Sequence, residues 1–193
     1  MDKREVIIVS ARRLFARFGP HKTTVEEIIR LARVAKGTFY RHFANKDVLL
    51  LEVLNQEARE HTGAIRAAVD QAPSARQKLR AYWITGTLKM MEMQNYHGIS
   101  EDTFPAVADE LKAFADGIFE RMQGMIAEIL DFGVRRGEIV VDHIDKTAYT
   151  LFYAVGMDDL KTMRRFRRVQ ALEIEEMVDR LVELVFSGLE PRG

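Results

Sequence analysis

Cysteine is absent from the 193 residues, which excludes disulfides, cysteine-ligated zinc and a thiol nucleophile. Proline occurs four times and glycine twelve, so helix breakers are sparse and helix is favoured. Long apolar runs are missing. The longest, near Val48–Leu54 and Tyr149–Met157, fall well short of the roughly 18–20 residues a spanning helix needs. Val6-Ile7-Ile8-Val9 is soon followed by Arg12-Arg13, too short and too charged for a signal-peptide core. The expectation is a cytoplasmic chain without a membrane partner. Repeats and low-complexity tracts are also missing. There is no G-x-S-x-G, no Walker loop and no H-E-x-x-H. No catalytic residue, metal site or cofactor is therefore expected, and the chain is not expected to be an enzyme.

What is present is ordinary for a globular protein: 47% hydrophobic and 30% charged residues, enough for a core and too apolar for a disordered chain. The formal net charge is +0, which on its face argues against a nucleic-acid partner. The distribution reverses that inference. Residues 1–50 hold 11 Lys and Arg against 5 acids, a net +6, and residues 51–193 carry the compensating −6. A basic head suits a polyanion, and the acidic remainder suits something else.

Apolar residues recur at helical spacing almost throughout. Ile7, Ala11, Leu14, Phe15 and Phe18 form a first stripe, ended by Gly19-Pro20. Thr24-Val25-Glu26-Glu27 reads as a capping box before a short helix carrying Val25, Ile28, Ile29 and Ala32. A third short helix spans 36–43. Asn45 offers a new cap, and 46–71 reads as one longer helix. Further helices are expected over about 76–94, 109–136, 142–165 and 172–187, with Gly137 stopping the second of these. Asn95 to Pro105 reads as broken. Glu138-Ile139-Val140-Val141 is the only strand-like run, and its shortness and isolation make it a loop. The fold expected is all-α, about nine helices, with a three-helix helix-turn-helix head over 1–46 and a larger helical body over 47–193.

Two short amphipathic helices joined by a tight turn cannot bury both apolar faces alone. The first helix and the start of the fourth supply the cover, which is the helix-turn-helix arrangement. In it the third helix lies in the major groove and the second crosses the backbone. Phe39 and Phe43, four apart, anchor the third helix. Lys36, Thr38, Tyr40, Arg41 and His42 are left to face outward, as donors suited to phosphates and base edges.

Thr24-Val25-Glu26-Glu27-Ile28, then Val34-Ala35-Lys36-Gly37-Thr38-Phe39-Tyr40-Arg41-His42-Phe43, then Asn45-Lys46-Asp47-Val48-Leu49 resemble the DNA-binding signature of TetR-type regulators. The resemblance covers roughly residues 5–55. It implies a homodimeric repressor on a double-stranded DNA operator, with a C-terminal domain that binds a small effector and releases the DNA. By position, it implies Lys36 and Thr38 on base edges and Gly37 permitting close approach. It implies Tyr40, His42, Lys46 and Thr24 on phosphates, and Arg41 on a base or a phosphate. Ile29 and Arg33 depart from the pattern, which favours a small residue and a glycine there. Glycine at the second place would relieve a left-handed backbone.

Aromatic residues and methionines crowd the middle of the chain, and most must be core. Methionine also suits irregular cavities, and ligand sites are apolar with a few polar anchors. The resemblance places the effector among the helices of about 76–163. The expected apolar pocket is formed by Trp83, Thr87, Met90, Phe119, Met122, Tyr149, Phe152 and Tyr153, for an apolar or aromatic effector. The last two helices carry wide apolar faces, which permit the family's pairing of two copies there. The competing reading is a helical small-ligand carrier or enzyme without a DNA role.

Overall fold

The computed structural model describes residues 2–92, 104–154 and 171–189. Among them are eight α-helices, one short 3-10 turn at Pro105–Val107 and no strand. The helices are α1 (Lys3–Phe18), α2 (Val25–Ala32), α3 (Lys36–His42), α4 (Lys46–Gln71), α5 (Ala75–Glu92), α6 (Ala108–Arg135), α7 (Ile144–Ala154) and α8 (Ala171–Leu189). The all-α expectation holds, with each helix found within a few residues of its expected place. The 138–141 run is a loop, as expected. The expected continuation of α7 to about 165, and most of the break at 95–105, lie outside the described residues.

The chain divides into two compact units: Met1–Arg59 with Met93–Asp116, and Glu60–Glu92 with Gly117–Gly193. α4 and α6 each contribute to both. The first unit is built around Ile7, Ile8 and Phe15 of α1, Ile28 of α2, Phe39 of α3 and Leu49, Leu50 and Val53 of α4, all fully buried. Phe104, Val107 and Leu111 complete this core. The second unit centres on Leu79, Tyr82 and Trp83 of α5, Ile126 and Ile129 of α6, Phe152 of α7 and Ile174, Val178 and Phe186 of α8. Each such side chain contributes about 1.5–3 kcal/mol by burial. The exposed pairs of Arg80 with Asp179 and of Arg76 with Glu183 add at most about 1 kcal/mol apiece. Packing therefore decides both units.

Helix ends follow the capping residues. α6 stops at Gly137, whose φ is 69°. There the Glu138 N–H donates to the Gly133 carbonyl at 2.9 Å and the Gly137 N–H to Val134 at 3.0 Å, a Schellman closure. α2 stops in the same way without a glycine. Arg33 itself adopts the left-handed conformation (φ 54°, ψ 43°), and the Val34 N–H reaches the Ile29 carbonyl at 3.1 Å. The turn is kept and Arg33 bears the cost, of the order of 1–2 kcal/mol for a residue with a Cβ. Ile29 fits half-buried against the first core. Arg33→Gly is expected to stabilise the protein by about 1 kcal/mol. Urea titration, with an unchanged slope and a higher midpoint, is the check.

Candidate nucleic-acid interface

α3 is only seven residues long, too short to be helical by itself. It is held by its aromatic side. Phe39 is fully buried and Phe43 nearly so, their rings 6.0 Å apart. The remaining side chains are thereby turned outward. Lys36, Gly37, Tyr40 and Arg41 are exposed, and Thr38 and His42 are half-buried. The Tyr40 ring meets Phe39 edge-on at 5.2 Å and is 48% exposed, so its hydroxyl stands on a fixed base. A Cβ added at Gly37 would meet nothing within 4 Å. Among the described residues nothing requires a glycine there.

α2 presents its N-terminus through a complete capping box. The Thr24 Oγ1 accepts from the Glu27 N–H at 3.2 Å, and the Glu27 carboxylate accepts from the Thr24 N–H at 2.8 Å. The Thr24 hydroxyl also donates to that carboxylate at 2.9 Å. The hydrogen bonds from the Thr24 main chain and then its hydroxyl hold the Glu27 carboxyl below its usual range. Thr24 is thus spent on its own helix in this state, and a phosphate there competes with Glu27. Lys36 likewise donates to Glu26 at 3.2 Å. Glu26 is held below its usual range by its own main-chain N–H and then by Lys36. Both Lys36 and Glu26 are well exposed, so this pair is weak.

Lys46, the first residue of α4, also has partners inside the head. Its Nζ donates to the Pro20 carbonyl at 2.7 Å and the Thr23 carbonyl at 2.9 Å. Two further head cations are also engaged within the unit. Arg12 of α1 grips Glu57 of α4 through both carboxylate oxygens, at 2.7 and 3.2 Å, and Arg4 meets Glu52 at 2.9 Å. These partners lie 23 to 48 residues away in sequence, so counting charges placed them in the head without showing what they bind. Arg13, Arg17, Lys22, Arg30, Arg33 and Arg41 are exposed and give the head its outward positive field.

The expected effector residues separate into two groups. Trp83, Met122 and Phe152 are buried in the second core, with Met90 and Phe119 packed against it. Thr87 is buried nearby on α5. The Phe119 and Phe152 rings lie 5.9 Å apart. Tyr149 and Tyr153 instead stand on the outer side of α7, 53% and 42% exposed, with ring centroids 4.5 Å apart. A groove of about 440 Å³ opens between α1 and α2, lined by Leu14, Phe18, Glu27, Arg30, Leu31 and Arg33, none of them in the expected set. Among the described residues no cluster of His, Asp and Glu could hold a metal ion, and no helix is long and apolar enough to cross a membrane.

Residues 7–53 match the model of the tetR family of bacterial regulatory proteins, the stretch that folds into α1, α2, α3 and the start of α4. This stretch is thus similar to the helix-turn-helix head of TetR-family regulators. The HTH-type transcriptional regulator YuxN of Bacillus subtilis is 43% identical over 54 residues, which are 28% of this chain and 19% of YuxN. QacR of Staphylococcus aureus, also an HTH-type transcriptional regulator, is 40% identical over 57 residues, 30% of each chain. These matches thus span less than a third of either relative. The fold of the whole chain is similar to that of a solved structure from Mesorhizobium loti, with a TM-score of 0.77 at 23% identity, covering 98% of this chain and 97% of that one. Over longer spans the identity is lower: YhgD of Bacillus subtilis, an HTH-type transcriptional regulator, is 22% identical over 155 residues, 78% of this chain and 79% of YhgD.

Proposed function

We propose that this chain is a TetR-family, ligand-responsive transcriptional repressor, cytoplasmic and not an enzyme. Residues 1–46 act as the DNA-binding domain and 47–193 as the effector-binding and dimerisation domain. The observation that carries the reading is the α3 surface. A helix fixed by buried Phe39 turns Lys36, Thr38, Tyr40, Arg41 and His42 outward, with an unneeded glycine among them. Lys36 and Thr38 read base edges, Tyr40 and His42 hold phosphates, and Arg41 takes either. Thr24 adds a phosphate contact at the α2 N-terminus, where the helix end favours an anion and a phosphate displaces the Glu27 carboxylate from the cap.

Two copies place two α3 helices in successive major grooves, about one helical turn apart on a near-palindromic operator. The pairing uses the last two helices. Met177 and Leu184 of α8 are 41% and 74% exposed in the single chain, an apolar cost that a second copy removes. A small apolar or aromatic effector, held near Trp83, Thr87, Met90, Phe119, Met122, Phe152 and the tyrosines of α7, favours a dimer whose heads are wrongly spaced. Its power to release DNA equals its differential affinity for the two states.

A cheap experiment tests the DNA reading. The protein is retained on immobilised duplex DNA at low salt and eluted by added salt, and Tyr40→Ala elutes earlier. A protein that passes straight through at low salt is a carrier or enzyme of another kind.

A further inference from the structure

One face of the head carries side chains that the DNA reading leaves unused. Phe18, at the end of α1, and Leu31, near the end of α2, stand exposed although both are large and apolar. With Leu14 they form the apolar part of the groove between α1 and α2, and Glu27, Arg30 and Arg33 form its charged part. The Arg17 guanidinium lies 4.9 Å from the centre of the Phe18 ring and adds a third cation beside it. These charges are unevenly placed. Glu27 and Arg33 are six residues apart, about 9 Å along the axis of α2, so the acid stands at one end and the arginines toward the other. The Glu27 carboxylate is committed to Thr24, and the charge of Arg30 offsets it further. Arg33 has no side-chain partner among the described residues. It is also the one non-glycine residue among them with a positive φ, 54°, a cost that glycine would not carry. The side chain kept at that cost lines the groove, and strained positions of this kind recur at ligand clamps.

We propose that the α1–α2 groove binds a small organic carboxylate, whose apolar body lies on Leu14, Phe18 and Leu31 and whose carboxylate pairs with Arg33, beside Arg30. A guanidinium offers two parallel N–H donors that match the two carboxylate oxygens. The apolar body takes the surface of Phe18 and Leu31 out of water. An uncharged or cationic ligand would leave the surplus of arginines without a counter-charge. The volume of about 440 Å³ is in the range of small-molecule sites. Three apolar side chains offer far less than the roughly 1,200 Å² that a specific protein partner buries. All of these residues belong to the first unit, whereas Trp83, Met122 and Phe152 of the expected effector pocket belong to the second core. The site is therefore a different one, and it does not depend on the DNA reading.

The test titrates decanoate, below its micellar range, into the full-length protein labelled with nitrogen-15 and follows the amide shifts. Wild type is compared with Arg33→Gly and Leu31→Gln, and decyltrimethylammonium and inorganic phosphate are the control ligands. Arg33→Gly relaxes the turn and Leu31 is exposed, so both variants fold, which melting curves verify. In wild type, decanoate is expected to give saturable shifts at residues 14–18 and 30–34. Arg33→Gly raises the Kd about 10-fold, the effect of one lost charge-assisted pair, and Leu31→Gln raises it several-fold. Decyltrimethylammonium leaves these amides unmoved, and phosphate moves them without saturating. Equal affinity of wild type and Arg33→Gly, or equal binding of the cationic amphiphile, overturns the proposal. Phosphate binding as tight as that of decanoate also overturns it, because the arginines would then hold phosphate alone. Shifts confined to the surroundings of Trp83 and indifferent to Arg33→Gly would put the carboxylate in the second core and refute the groove site.

Discussion

Gly37→Ala is expected to weaken binding to the preferred duplex about 100-fold while the melting temperature stays level or rises. The two halves of this expectation have separate physical sources. An added methyl at Gly37 meets no protein atom within 4 Å, and Gly37 sits inside a helix with an ordinary backbone, so alanine removes backbone entropy from the unfolded chain. Stability therefore gains up to about 1 kcal/mol. The open space is where the DNA would be, one residue from Lys36 and Thr38. A methyl there holds α3 away from the base edges, and a lost base contact costs about 1–3 kcal/mol. Two heads each losing about 1.4 kcal/mol give the 100-fold change. Band-shift titration and a melting curve on the same preparation measure both halves. A variant that binds as wild type would remove the reason for glycine at this place.

Phe39→Ala is expected to destabilise the first unit by about 3–5 kcal/mol, the range for emptying a large buried aromatic site. Phe39 is fully buried and touches both Tyr40 and Phe43, so its loss frees α3 from the only surface that keeps so short a helix folded. DNA binding should fall below detection at 37 °C. Trp83, the single tryptophan of the chain, is 1% exposed in the second core and reports on that unit alone. Its emission should stay as in wild type while far-UV circular dichroism loses helix. Concerted loss of both signals would mean that the two units unfold as one.

Much of this was legible from residue order alone, and the parts that were not share a cause. The helices follow from 3.6-residue spacing and from local caps: Thr24 with Glu27, Gly137 after α6, and the Phe39/Phe43 pair all act within five residues. Contacts of that range are written in the local sequence. The left-handed turn at Arg33 was legible only as one of two outcomes: the family pattern puts a glycine there, and an arginine had either to adopt that backbone at a cost or to use another turn. The partners of Lys46, Arg12 and Arg4 were not legible. Each depends on how α1 and the α1–α2 connection pack on α4, which no local pattern encodes. The expected effector residues show the same limit. Periodicity groups Tyr149, Phe152 and Tyr153 on α7, yet a helix has two sides. Phe152 is buried while the tyrosines face outward, and only the neighbouring helices decide which side is which.

The split of charge also acquires a structural meaning. Part of the +6 in the first fifty residues is consumed internally by Glu57, Glu52 and the connection carbonyls. The cations that remain exposed are fewer, and on the proposed reading α3 supplies the specific ones among them. A head of this kind attracts DNA by a modest field and depends on α3 for discrimination.

The most direct measurement is selection of bound sequences from random duplex DNA by the wild-type protein at moderate salt. The account predicts enrichment of a two-fold symmetric sequence whose half-sites lie about one helical turn apart, lost in Gly37→Ala. Recovery of no preferred sequence, or of one equally well bound by Gly37→Ala, would contradict it.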